Sequence, residues 1–336
     1  MKVAVIGAGS WGTTLAKLLT EKGIDVTLWV YEKDLCDEMI KCRINTLYLP
    51  DVFLPENLQI TNQLEEAVQG KDIIVSVTPS HVVRNVIGSA VNYIGKNSII
   101  VTASKGIEND TFLTMSQVLS QIIPPNLNVK IVALSGPSFA KDVARCLPTA
   151  VTVASRDEEA GRIVQQTFST PYFRTYTHHD VTGVELGGAL KNVIAIAAGV
   201  SDGLGLGSST RAALITRGLA EITRLGIQLG ADATTFMGLS GMGDLVLTCT
   251  GDLSRNRTVG IRLGKGEKLQ NILSSMRMVA EGVKTAKAAY HLSKKLNVEM
   301  PITEETYKIL YEDKDPREAV ISLMKRELKS EMEGIN

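Results

Sequence analysis

Short runs of β-branched and aliphatic residues punctuate the first half of the chain, each followed by a loop or a helical pattern. Val3–Ile6, Val26–Val30, Ile73–Val77, Ile99–Thr102, Ile131–Leu134 and Ala150–Ala154 are such runs. Apolar runs with little alternation predict strands covered on both faces. Thr13–Glu21 predicts the helix that follows the first strand. Strands spaced by helical segments predict βαβ units and a parallel sheet. The right-handed crossover rule makes that sheet doubly wound.

Past about Thr177 the texture changes. Leu214, Ile215, Leu219, Ile222, Leu225 and Leu229 recur with helical period behind Ser208-Ser209-Thr210, which are good N-cap residues. Thr258–Leu263, Lys284–Leu296, Glu304–Leu310 and Arg317–Lys329 are helical as well. The pattern predicts an α/β first domain over residues 1–185 and an all-α second domain over 186–330. A length of 336 residues agrees, since single cores seldom grow that large.

Composition narrows the partners. Lys plus Arg and Asp plus Glu each total 36, with no basic tail or acidic block. Nucleic acid is therefore not expected as a partner, nor an anionic membrane surface. Cys36, Cys42, Cys146 and Cys249 are scattered without a CxxC pair. No disulfide framework or metal is expected, and the cytoplasm is the expected compartment. The first apolar run ends at Gly7, too soon for a signal peptide. The apolar stretch Val193–Val200 falls short of the ~20 residues that cross a bilayer. A soluble chain without stable membrane insertion is the expectation, and a homodimer is left open.

Gly7-Ala8-Gly9-Ser10-Trp11-Gly12 follows the first strand and opens the first helix. In that context GxGxxG is a dinucleotide fingerprint. Gly7 allows the tight turn, Gly9 the approach of a pyrophosphate, and Gly12 close packing of helix on sheet. The end of the second strand should meet the adenosine ribose, and it carries Tyr31-Glu32-Lys33. Glu32, 20 residues past Gly12, would accept from a 2′-hydroxyl and favour NAD. Lys33 would instead neutralise a 2′-phosphate and admit NADP, and Tyr31 would pack along adenine. NAD and NADP both stay open.

Hydride transfer to a ketone needs a proton donor beside the forming alkoxide. His81, His178, His179 and His291 form no constellation. Lys191 and Asn192 are more telling, because they interrupt a small-residue apolar helix, where charge seldom sits without a partner. Lys105 follows a strand's carboxyl end, the edge where α/β sheets bind ligands. Two lysines in one cleft would depress each other's pKa. Asp244, among the glycines of Leu239–Gly243, would orient such a lysine. Ser254, as N-cap before Arg255, would present free backbone N–H groups beside a guanidinium that grips phosphate.

With those residues in hand, the chain resembles the bacterial-type NAD(P)-dependent sn-glycerol-3-phosphate dehydrogenases over nearly its whole length. The resemblance rests on GAGSWGT, TASKGIE, LSGPSFAKDV, GVELGGALKNVIAIAAGVSDG, GLSGMGDLVLTCTGDLSRN and MPITEETYKILYE. It implies reversible reduction of dihydroxyacetone phosphate to sn-glycerol 3-phosphate for glycerophospholipid synthesis, and an all-α domain like that of 6-phosphogluconate dehydrogenases. It further implies Lys191 as proton acceptor and donor. Lys105, Gly136, Ser138, Asn192, Asp244, Thr248, Ser254, Arg255 and Asn256 would contact the phosphoester substrate. Ser10, Trp11, Tyr31, Lys105, Ala140, Arg255, Val279 and Glu281 would contact the dinucleotide. Relatives often carry arginine or histidine where this chain has Tyr31-Glu32. The competing readings are a dehydrogenase of the same plan acting on a hydroxy or sugar acid, and a non-catalytic dinucleotide sensor.

Overall fold

The computed structural model describes residues 1–276 and 278–331. Ten strands are present among them: β1 (Lys2–Ile6), β2 (Asp25–Trp29), β3 (Ile44–Asn45), β4 (Leu49–Phe53), β5 (Gln59–Thr61), β6 (Ile73–Ser76), β7 (Ile99–Thr102), β8 (Lys130–Ser135), β9 (Thr149–Ser155) and β10 (Phe173–His178). Eight of these form one sheet in the order β10-β9-β8-β7-β6-β1-β2-β5, while β3 and β4 make a separate hairpin. Every residue of β6 and β7 is buried, as their apolar runs closed by a single small polar residue lead one to expect.

The sheet is parallel except between β8 and β9, where Val132 pairs with Ser155 and Ser135 with Thr152 in antiparallel register. The expected strand at 150–154 exists but runs the other way. The connection from β8 holds only the short helix Ala140–Ala144, and the chain re-enters the sheet from the end it left. β5 and β10 read QIT and FRTYTH, too polar to stand out as strands in the sequence.

Contacts divide the chain into two units. One comprises Met1–Ser104 and Met115–Val181; the other comprises Lys105–Thr114 and the residues from Thr182 onward. Residues 105–114 therefore join the helical unit, a detail absent from the linear division at 185. Ile107 anchors them in that unit's core with Leu186, Leu190, Ile194, Phe236 and Leu245, and an antiparallel bridge ties Ile107 to Thr114.

The helical unit is organised on the helix Val181–Gly203. Its composition would suit a membrane span, yet 89% of its apolar window is buried within the protein. The helix Gly207–Gln228 begins at Gly207, whose φ of +84° turns the chain into it. Ser208 and Ser209 therefore fall in its first turn, and no side chain caps it. Gly199 and Gly203 face Gly260 and Gly264 of the helix Arg255–Gly264. A Cβ on any of the four would overlap a backbone carbonyl opposite: Arg257 O, Ile261 O, Ile196 O or Val200 O respectively. The two backbones touch because neither side carries a side chain there.

Gly260→Ala should accordingly destabilise the protein by about 1–3 kcal/mol, the usual cost of overpacking a rigid contact. Gly88→Ala is the control, on a helix with open space at its Cβ. It should be neutral or gain up to about 1 kcal/mol from helix propensity. Thermal melting of the two variants checks the contrast.

Candidate active site

The helix Val181–Gly203 carries Gly187 and Lys191 one turn apart, so both lie on one face. A Cβ on Gly187 would stand 2.6 Å from Ser240 O, so the missing side chain admits the backbone of the π-helical turn Leu239–Gly243. That turn delivers Asp244 to the next level of the face, at the start of the helix Asp244–Thr250. Lys191 Nζ donates to Asp244 Oδ1 at 2.7 Å and to Thr248 Oγ1 at 2.5 Å. The Thr248 hydroxyl gives its own proton to Asp244 O at 2.6 Å, which leaves it an acceptor for the lysine.

The second carboxylate oxygen is taken as well. Lys105 Nζ donates to Asp244 Oδ2 at 2.7 Å. Lys191 and Asp244 are buried, at 6% and 1% exposure, while the Lys105 side chain is 19% exposed. Burial pulls the Lys191 amine down to about 8; Asp244 opposes that shift and the Lys105 charge adds to it. Cys249 lies in the same surroundings, and burial pushes its thiol up to about 12, so it stays protonated. The result is an amine that exchanges its proton near neutral pH.

Asn192, the neighbour of Lys191, leads to a second polar cluster. Its Oδ1 accepts from Asn256 Nδ2 at 2.9 Å, and Asn256 Oδ1 accepts from Gly282 N at 2.9 Å. A Cβ at Gly282 would meet Asn192 O at 2.6 Å, so three helices converge here. Ser254 caps the helix Arg255–Gly264, its Oγ accepting from Arg257 N at 3.2 Å. Arg255 opens that helix and Glu281 opens the helix Glu281–Lys295, close enough to attract the guanidinium. Val279, 43% exposed, precedes Glu281.

The glycine loop lies in the other unit. Gly7 adopts φ +115°, and a Cβ there would crowd Val77 O and Thr78; one on Gly12 would overlap Gly7 O. Nothing lies within 4 Å of a Cβ position on Gly9. The helix Ser10–Glu21 starts with no side-chain cap and no acid in its first turn, which leaves its positive end to an anion. The loop thus fits a dinucleotide pyrophosphate. Ala140 lies on the helix beside it, its carbonyl accepting from Thr14 Oγ1 at 3.1 Å. Gly136 and Ser138 share a turn, Ser138 Oγ donating to Gly136 O at 3.1 Å. Trp11 is part-buried against Phe173; Tyr31 is exposed edge-on to Trp29 at the end of β2.

Within the helical unit, Lys105, Lys191, Asp244 and Thr248 therefore meet directly, as do Asn192 and Asn256. Gly7–Gly12, Tyr31–Lys33, Gly136, Ser138 and Ala140 belong to the sheet unit. The sequence did not announce Asn45. It is fully buried and donates to Ala8 O and Thr13 Oγ1, both at 2.8 Å, welding the β3–β4 hairpin to the glycine loop. An isolated asparagine in a two-residue strand carries no periodic signal.

Family comparison agrees at both ends of the chain. A model described as the NAD-dependent glycerol-3-phosphate dehydrogenase N-terminus matches residues 2–161, and its C-terminal counterpart matches residues 180–321. The glycerol-3-phosphate dehydrogenase (NAD(P)+) of Geobacter metallireducens is 60% identical over 330 residues, 98% of each chain. That of Syntrophotalea carbinolica is 60% identical over 333 residues, covering 99% of this chain and all of its own. The crystal structure of glycerol-3-phosphate dehydrogenase from Coxiella burnetii is similar with a TM-score of 0.93 at 40% identity, covering 97% of this chain and 99% of that one.

Asp244→Asn would leave the buried Lys191 amine and the part-buried Lys105 amine without their shared counter-charge. The Lys191 pKa should then fall below 8 by about a unit or more, since one pKa unit is 1.36 kcal/mol of lost charge interaction. Isotope-labelled lysine NMR titration of wild type and variant measures the shift. An unmoved titration would mean that Asp244 does not set the state of Lys191.

Proposed function

The chain belongs to the NAD-dependent glycerol-3-phosphate dehydrogenase family, and on that premise we propose that it interconverts dihydroxyacetone phosphate and sn-glycerol 3-phosphate. Hydride exchange at carbon two of the substrate is the chemistry that a nicotinamide dinucleotide, held on the glycine loop, would supply when bound. Lys191, held by Asp244 and Thr248, carries this reading for the chain itself. In reduction its ammonium gives a proton to the ketone oxygen as the C–H bond forms, leaving alcohol, oxidised dinucleotide and neutral amine. In oxidation the neutral amine takes the hydroxyl proton.

Asp244 keeps the amine aimed and stabilises its charged state, while Lys105 on the other oxygen keeps that amine acidic enough to let its proton go. Arg255, the Asn256 amide, Ser254 and the first backbone N–H groups of the helix Arg255–Gly264 would grip the substrate phosphate. Asn192 fixes Asn256 from behind. Gly136, Ser138 and Thr248 are further proposed substrate contacts. Gly7, Gly9, Ser10, Trp11, Gly12 and Ala140 would hold the pyrophosphate side of the dinucleotide, and Tyr31, Glu32 and Lys33 its adenosine. Lys105, Arg255, Val279 and Glu281 are proposed as cofactor contacts from the helical unit.

Initial rates with dihydroxyacetone phosphate should far exceed those with glyoxylate or a sugar acid. Equal rates would sink the substrate assignment. Lys191→Ala should lower turnover by about 10²–10⁴, and near-wild-type turnover would remove Lys191 from its role.

The direction of the pH effect follows from the depressed amine. Reduction uses the cation, so its kcat/KM should fall as pH rises through about 8. Oxidation uses the neutral amine and should rise across the same window. Profiles measured in both directions check the crossing.

A further inference from the structure

Tyr48 follows Asn45 on the β3–β4 hairpin, and its backbone is held at two points, by Asn45 of the hairpin and by Ser10 of the glycine loop. Asn45 Oδ1 accepts from Tyr48 N at 2.9 Å, and Ser10 Oγ donates to Tyr48 O at 2.6 Å. From that anchored position the phenol donates to Glu32 Oε1 at 2.9 Å. Glu32 is the N-cap residue of the helix Lys33–Cys42, yet its carboxylate makes no capping bond there. It is turned to Tyr48 instead. Burial, then Glu32 itself, pushes the Tyr48 phenol up to about 12, so the hydroxyl stays protonated and donates.

We propose that Tyr48 is a positioning residue for cofactor specificity: by donating to Glu32 it holds that carboxylate aimed at the adenosine ribose, so that the chain takes NAD(H) over NADP(H). The proposal rests on the glycine loop as the dinucleotide site and not on the substrate assignment. One carboxylate oxygen is committed to the phenol, and the other is left to accept from the ribose hydroxyls. A 2′-phosphate, with about −1.5 to −2 charges at neutral pH, would meet that carboxylate as a like charge. Lys33 is an adjacent cation that would favour such a phosphate. It shares the first turn of its helix with Asp34, so the local charge is balanced. The usual rule reads the acid alone; here the acid's direction is set by a tyrosine from a different element.

The test measures dissociation constants of NADH and NADPH on the full chain without substrate, by quenching of tryptophan fluorescence. Trp11 and Trp29 both lie in the sheet unit, so the readout does not need turnover. Wild type should bind NADH at least about tenfold more tightly than NADPH, the scale of one hydrogen bond to a charged group. Glu32→Gln should shrink that ratio from both sides. Tyr48→Phe, which keeps the ring, should shrink it in the same direction, and the double variant should add little beyond Glu32→Gln. Should Tyr48→Phe lose its cooperative melt, Glu32→Asp takes its place, withdrawing the carboxylate from the phenol by one methylene with the same expected loss. Equal affinities in wild type overturn the proposal. So does Tyr48→Phe weakening both cofactors alike, or leaving the ratio unchanged while Glu32→Gln moves it. Failure to reduce dihydroxyacetone phosphate would leave these affinities measurable, so the two readings fail separately.

Discussion

One buried carboxylate, Asp244, holds two amines, that of buried Lys191 and that of part-buried Lys105, and the helical unit is arranged around that fact. Burying the charges of Lys191 and Asp244 costs several kcal/mol per ion before pairing offsets it. Such a cluster is a poor way to stabilise a fold, since apolar residues of the same volume often do better. It persists here with a net positive charge, which is the character required beside an oxygen that becomes an alkoxide. Thr248 completes the aim of Lys191, and Lys105 prevents the pair with Asp244 from becoming too strong to release a proton.

Side chains as short as Asn192, Asp244 and Asn256 can meet only if their backbones come close, and glycine makes that possible. Gly187 admits the turn before Asp244, Gly282 admits the carbonyl of Asn192, and the Gly199–Gly264 set brings two helices into backbone contact. Close-packed backbones leave little freedom for the groups they carry. The polar cluster is thus assembled before any substrate arrives, which lowers the entropic cost of forming the reactive geometry.

Much of this was legible along the chain. The apolar runs of β1, β2, β6 and β7 could be little else than buried strands, and the glycine loop stood between a strand and a helix. Lys191 stood out because a lysine has no place in so apolar a helix without a partner, and Asp244 because an acid among glycines has few side chains around it. Other features are invisible to local pattern. The reversed direction of β9 shows only in its pairing with β8, and the short polar strands β5 and β10 owe their state to their neighbours. The serines at 208 and 209 are good caps by composition, but the positive φ of Gly207 decides where the helix begins. The Asn45–Tyr48–Glu32 chain joins residues from three elements, and no periodicity couples them.

The brief excursion at 105–114 bears on how the polypeptide is made. It leaves the ribosome before β8, β9 and β10, yet Ile107 and Lys105 belong with helices translated only after Thr182. Until those helices are made, the partners of Ile107 and Lys105 within the helical unit do not exist. A gene fragment beginning at 182 would encode the helices without one of the two amines on Asp244 and without a piece of their core. The helical unit is in this sense stitched from two stretches of the message, and the sheet is written between them.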